Sequence, residues 1–184
     1  KNDGIFAGGT IYEVIGNVCW SNADDGIELS SAGVTVKSNV VFKNTGDGIY
    51  STAGLNREIF QNNLVYSNGG WCLYLSDLNN NAIIENNTFC GGKGIYIPDP
   101  SAVTNRNNII WSSGAGNYAV QVGQAPVGFG VFASDYNDIY ATAGANVGSW
   151  VGAPCADIGS WRSASAGDAQ SISEDPLFVD PAGS

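Results

Sequence analysis

The sequence predicts an all-β fold: one chain coiling through about six turns of 22–25 residues, each turn laying short strands on the turn before it. Two recurring phrases and the composition between them carry this prediction. The first phrase is Gly4-Ile5-Phe6, Gly26-Ile27-Glu28, Gly48-Ile49-Tyr50, Cys72-Leu73-Tyr74, Gly94-Ile95-Tyr96 and Ala119-Val120-Gln121, at steps of 22, 22, 24, 22 and 25 residues. The second is Asn-x-apolar-aromatic, at Asn17-Val18-Cys19-Trp20, Asn39-Val40-Val41-Phe42, Asn63-Leu64-Val65-Tyr66, Asn87-Thr88-Phe89-Cys90, Asn108-Ile109-Ile110-Trp111 and Asn137-Asp138-Ile139-Tyr140. The two stay in phase through six copies, which marks a repeat architecture.

Composition decides what kind of repeat this is. Helical repeats favour Leu, Ala, Glu and Lys and periods longer than about 30 residues. This chain has only four Lys, and its short Val, Ile and aromatic runs are separated by Asn, Gly, Ser and Asp, the pattern of strands and turns. The L-x-x-L-x-L pattern of leucine-rich repeats is absent. What remains is a single-stranded parallel β-helix, in which each strand pairs with its counterpart one turn on, at about 4.8 Å.

Each element then follows. The Gly-apolar phrase is one strand, with Ile5, Ile27, Ile49, Leu73, Ile95 and Val120 as an inward column. The Asn phrase opens a second strand, with Cys19, Val41, Val65, Phe89, Ile110 and Ile139 inward. A fainter third strand is expected at 34–36, 58–60 and 82–84. The Asn column suits a tight bend, since Asn tolerates a left-handed backbone and stacked Asn side chains hydrogen-bond along the axis. Residues 1–140 are assigned to the repeats and 141–184 to an irregular C-terminal segment that packs on the coil, the whole forming one domain. The stretch from Gly123 to Gly167 loses the repeat. Trp150, Trp161 and Phe178 are its expected anchors over the aromatic column Trp20, Phe42, Tyr66, Trp111 and Tyr140, which Cys90 interrupts.

Composition also excludes functions. A formal charge of −10 without a basic patch argues against nucleic acid and anionic membrane surfaces. No apolar run reaches the roughly 18–20 residues of a membrane-spanning helix. His is absent, which removes the commonest general base and weighs against catalysis. Cys19, Cys72, Cys90 and Cys155 lack CxxC spacing, so zinc is not expected; they are either disulfide partners or small core residues. The opening Lys1-Asn2-Asp3-Gly4, with neither initiator Met nor leader, reads as a piece of a longer chain.

The phrase from Asn39 to Ile49, and its copies, resembles the right-handed parallel β-helix repeat of bacterial extracellular proteins of the pectate-lyase-like superfamily. The segment Ser134 to Tyr140, followed by Asp168 to Asp180, resembles the closing segment of such proteins. The resemblance spans nearly the whole chain and implies a right-handed coil and an extracellular or cell-surface location. It says little about activity, because the phrase encodes stacking and not chemistry.

Function must come from the outward residues. After each inward Ile comes the column Phe6, Glu28, Tyr50, Tyr74, Tyr96 and Gln121; before each Gly comes Asp3, Asp25, Asp47, Trp71, Lys93 and Tyr118. Together they form a strip with carboxylates toward the N-terminal turns and aromatics toward the middle. Sugar rings stack on aromatic faces and carboxylates accept from hydroxyls, so Phe6, Glu28, Tyr50, Trp71, Tyr74, Tyr96 and Tyr118 are the candidate carbohydrate contacts. Asp3, Asp25 and Asp47, on successive turns, are a candidate calcium site. The plainer alternatives stand beside these: Tyr stacks well in strands, and Asp before Gly is ordinary turn chemistry.

Uronate lyase or epimerase chemistry requires charge neutralisation and a base. Asp25 and Asp47, with Glu28, could supply the first, and Lys93, with Tyr96 or Arg106, the second; Asp25, Asp47 and Lys93 are therefore the candidate catalytic residues. Adjacent carboxylates near 5 Å would also suit a retaining glycosidase. The resulting expectation is a secreted or cell-surface module that contacts polysaccharide, including acidic polysaccharide, as part of a lyase, C5-epimerase or glycoside hydrolase if it is an enzyme. The alternative is a structural or adhesive surface protein that assembles end to end through its exposed strand edges.

Overall fold

A computed structural model describes residues 2–52, 57–76, 81–126 and 131–179. The first turn holds β1 (Ile5–Ala7), β2 (Glu13–Ile15) and β3 (Val18–Trp20); the second, β4 (Ile27–Leu29), β5 (Thr35–Lys37) and β6 (Val40–Phe42). The third holds β7 (Ile49–Ser51), β8 (Glu58–Gln61) and β9 (Leu64–Tyr66), and the fourth β10 (Trp71–Leu75), β11 (Ala82–Glu85) and β12 (Thr88–Gly91). The fifth holds β13 (Lys93–Ile97), β14 (Ala102–Arg106) and β15 (Ile109–Ser113), and the sixth β16 (Tyr118–Val122), β17 (Val131–Asp135) and β18 (Asp138–Thr142). Beyond them lie β19 (Asn146–Trp150), β20 (Ala153–Cys155) and the helix α1 (Ile158–Ser165).

Corresponding strands of successive turns pair in parallel. Sheet 1 runs β1-β4-β7-β10-β13-β16-β19-β20, sheet 2 β2-β5-β8-β11-β14-β17 and sheet 3 β3-β6-β9-β12-β15-β18. Both expected inward columns appear in register, Ile5↔Ile27↔Ile49↔Leu73↔Ile95↔Val120 and Cys19↔Val41↔Val65↔Phe89↔Ile110↔Ile139. All but Ile5 are buried. The third strand is also real and recurs in every one of the six turns. Its signal is faint in sequence because its inward members are varied: Val14, Val36, Phe60, Ile84, Asn105 and Ser134.

The phrase glycines have a packing reason. A Cβ at Gly26 would lie 2.2 Å from Val41 Cγ1, and one at Gly48 2.3 Å from Val65 Cγ1, so side chains from sheet 3 fill the corner where sheet 1 begins. At the other bend the Asn column forms a continuous ladder. Asn63 Oδ1 accepts from the Asn39 backbone and side-chain amides, both at 3.0 Å. Asn63 Nδ2 in turn donates to Asn87 Oδ1 at 2.9 Å and to Val36 O at 2.9 Å. Every polar atom is satisfied along a buried line, and burial without a partner would cost about 1–3 kcal/mol per group.

Two expectations change here. The stretch from Gly123 to Gly167 carries β17, β18 and β19, so the coil continues to Trp150; the phrase is disguised because the step from Val120 to its partner Gly148 grows to 28 residues. The segment expected to be irregular and to cover the flank instead closes the end of the coil. Trp161 is fully buried against Gly148, Phe132 and Trp150. Its Nε1 donates to Asp168 at 2.7 Å, and Asp168 also accepts from Ser171 Oγ at 2.5 Å and Asn137 Nδ2 at 3.2 Å. Asn137 N donates to Ser171 Oγ, so this hub ends the Asn ladder, and Arg162 ties it by donating to the Asp168 and Ser171 carbonyls.

Of the anchors, only Phe178 reaches the flank, where 175–178 line a cleft with Trp111 and Tyr140. Trp20, Phe42 and Tyr66 stay outside that cleft, Trp20 being 58% exposed. All four cysteines are buried. Among the described residues no helix is long and apolar enough to cross a membrane.

Candidate functional site

The candidate strip lies on the outer face of sheet 1. Strand pairing aligns Phe6, Glu28, Tyr50, Tyr74, Tyr96, Gln121 and then Ser149 in one column. In the other, Trp71 pairs with Lys93 and Tyr118 with Asn146. Ring centroids of Tyr50 and Tyr74 are 5.3 Å apart at 53°, and those of Tyr74 and Tyr96 5.0 Å apart at 28°. Trp71 leans on Tyr96 at 5.3 Å, and Lys93 Nζ lies 5.6 Å from the Trp71 ring centre. Aligned on successive turns, the tyrosines turn their faces partly to one another. A chain lying along the coil axis meets edges and phenol hydroxyls, a hydrogen-bonding comb more than a stacking platform. Burial and the neighbouring phenols raise the Tyr74 pKa, which keeps it a donor.

The carboxylates at the corner before sheet 1 have backbone partners. Asp25 Oδ1 accepts the Asp47 amide at 2.6 Å, and Asp47 Oδ1 accepts the Trp71 amide at 2.5 Å. Each caps the next turn, so the turn chemistry of Asp before Gly is realised here. Burial pushes the Asp25 pKa to about 6 against the pull of that hydrogen bond, with repulsion from Asp47, Asp24 and Asp3 adding to the rise. Asp47 is raised as well, chiefly by burial, although the Trp71 amide and the Lys93 charge oppose this.

Glu28, expected to face solvent, is instead buried. It joins Asp3 and Asp25 in a group whose carboxylate oxygens lie within 4.8 Å of one another. This set differs from the expected Asp3, Asp25 and Asp47, because Asp47 points its Oδ1 one turn further, to Trp71. Hard oxygen donors suit calcium, which takes 6–8 oxygens, but this group offers three carboxylates, and one of them already caps an amide. Arg106 does not join Lys93 and Tyr96: it lies on β14 in sheet 2, paired with Glu85 and Asp135.

The repeat family now follows from the coil itself. Residues 1–141 match the family model described as the right-handed β-helix region. The chain belongs to this right-handed β-helix family. No curated protein and no solved structure matches it significantly.

One feature of this right-handed β-helix escaped the sequence reading. A second ladder, Asn22, Asn44 and Asn68, lines the bend before sheet 1; Asn22 Nδ2 donates to Asn44 Oδ1 at 2.8 Å and Asn44 Nδ2 to Asn68 Oδ1 at 2.9 Å. Its steps of 22 and 24 residues match the phrase and were there to be found. The aromatic column expected from the sequence is stacked on sheet 3: Trp20 and Phe42 are 6.0 Å apart at 7°, and Phe42 and Tyr66 4.9 Å apart at 1°. Its rings lie almost parallel.

Proposed function

We propose that this chain is a secreted or cell-surface β-helix module that contacts polysaccharide along the outer face of sheet 1. The observation that carries this reading is the comb of Tyr50, Tyr74 and Tyr96 at 5.3 and 5.0 Å, flanked by Trp71 and Lys93. Ring and hydroxyl groups repeating at such intervals along a rigid axis suit an extended sugar chain better than a compact ligand. A glycan array tests it: the wild type binds, while Tyr50→Ala and Tyr74→Ala lose at least about tenfold in affinity with unchanged circular dichroism. A wild type that binds no glycan removes the reading.

In the enzymatic form of this proposal, the module belongs to a lyase, C5-epimerase or glycoside hydrolase, and Asp25, Asp47 and Lys93 act on the bound chain. Release of unsaturated uronate from alginate, pectate or chondroitin, read by ultraviolet absorbance with and without calcium, tests the lyase branch.

A further inference from the structure

Resting on the carbohydrate reading above, we infer that the sheet 1 strip takes chains of β-1,4-linked sugars with equatorial bonds at both ends, one sugar per turn of the coil and four sugars in all.

The comb is a ruler as well as a contact surface. Parallel pairing sets Tyr50, Tyr74, Tyr96 and Gln121 side by side, at one lateral position on successive turns. All four are partly exposed, and each ends in a hydrogen-bonding group, three phenols and one amide. The tyrosine ring centres repeat at 5.3 and 5.0 Å, close to the strand spacing of about 4.8 Å that the coil imposes. A β-1,4 chain with equatorial bonds is the flat, extended form of a pyranose polymer, and it advances by nearly one strand spacing per sugar. Laid along the coil axis, it brings each sugar to the next polar tip without drifting out of phase. An axial bond at C1, as in α-1,4 chains, rotates each sugar against the last. Such a chain coils and leaves the line of tips.

The comb also has two ends. Toward the first turns its column continues to Glu28, which is buried. Toward the cap it continues to Ser149, also buried, where β19 pairs with the antiparallel β20. The accessible run from Tyr50 to Gln121 therefore lies between two closed positions, and its length sets the number of sugars that gain a contact.

Calorimetric titration with two pairs of oligosaccharide series, each from dimer to hexamer, tests this. One pair is cello- against malto-oligosaccharides, the β-1,4 and α-1,4 chains of glucose; the other is β-1,4-mannuronate against α-1,4-galacturonate, with calcium present. In a pair that binds, the β-1,4 tetramer is expected to bind at least about tenfold more tightly than the α-1,4 tetramer. Affinity is expected to rise by about fivefold per sugar up to the tetramer, as one added hydrogen bond would give, and to level off beyond it. Gln121→Ala brings the tetramer down to the trimer and leaves the trimer unchanged. Tyr74→Phe, which keeps the ring and removes the hydroxyl, weakens both by about fivefold. Equal or tighter binding of the α-1,4 chains overturns the inference and leaves the carbohydrate reading standing. Affinity that levels off at the dimer, or still climbs at the hexamer, does the same. So does wild-type affinity for every oligomer in Gln121→Ala or in Tyr74→Phe. Absence of binding to every oligosaccharide overturns the carbohydrate reading together with this inference.

Discussion

Replacing Asp25 by Asn probes whether the corner carboxylates are held against their own electrostatics. Asp25 Oδ1 caps the Asp47 amide at 2.6 Å, yet burial lifts its pKa from 3.8 to about 6. A carboxyl whose pKa is higher folded than unfolded binds its proton more tightly in the native state. Stability therefore falls as pH rises between 3.8 and about 6, and stays reduced above that range. About two pKa units correspond to roughly 3 kcal/mol, and screening by solvent at the second oxygen brings this to about 1–2 kcal/mol. Asn keeps an acceptor in the same place without the charge, as Asn44 and Asn68 do at the neighbouring bend. Asp25→Asn is therefore expected to be more stable than wild type by about 1–2 kcal/mol near pH 7, with the difference vanishing near pH 4. Urea unfolding followed by circular dichroism at both pH values measures it. A variant less stable near pH 7, or a difference that does not change with pH, refutes the reasoning. Asp25→Ala supplies the contrast: it leaves the Asp47 amide without its acceptor and costs about 1–3 kcal/mol near pH 4, and less near pH 7, where removal of the buried charge offsets part of that loss.

Other perturbations test the scaffold. Asn63→Ala strips two donors and two acceptor bonds from the middle of the ladder, and should lower stability by about 3 kcal/mol or more in the same unfolding assay. Gly148→Ala puts a Cβ 2.3 Å from Trp161 Cε3; it should cost about 1–3 kcal/mol and shift tryptophan fluorescence to the red as the ring is displaced. Trp161→Ala, which empties the cap, should cost about 3–5 kcal/mol and broaden the unfolding transition from the C-terminal end.

What could be read from the sequence followed the physics of each element. Sheets 1 and 3 were legible because Ile27, Ile49 and Ile95 sit behind an invariant corner geometry that admits only Gly or a small residue in front of them. Sheet 2 was faint because Asn105 and Ser134 take inward places there by bonding to each other, Asn105 Nδ2 to Ser134 Oγ at 3.0 Å, and so break the apolar pattern. The strip was legible as two columns, since register alone aligns Tyr50, Tyr74 and Tyr96. The fate of its carboxylates was not. Whether Asp47 reaches its neighbours or the Trp71 amide depends on how the corner turns, and Glu28 became buried although strict alternation points it outward. The polar hub inside the cap was illegible for a different reason. Asp168, Ser171 and Arg162 come from outside the repeat and meet only because α1 folds Trp161 back onto Gly148.

A solenoid stacks every column on itself at about 4.8 Å, so each column is a test of what its residues gain from meeting their own kind. Asn gains most, because each amide both donates and accepts, and the two ladders show it. Aromatics gain by ring contact, as Trp20, Phe42 and Tyr66 do. Sheet 2 avoids conflict by alternation, with Lys37, Gln61, Glu85, Arg106 and Asp135 in register. Aspartate carries a penalty at this corner, where burial first and neighbouring like charge second raise Asp25 and Asp47. An amide would serve their capping role without it. Local rules are broken in proteins chiefly where function requires it, and this breach lies beside the tyrosine comb on sheet 1. Asp25 and Asp47 are therefore the places in this coil where replacement by Asn most directly separates the capping hydrogen bond, which the amide keeps, from the buried charge, which it removes.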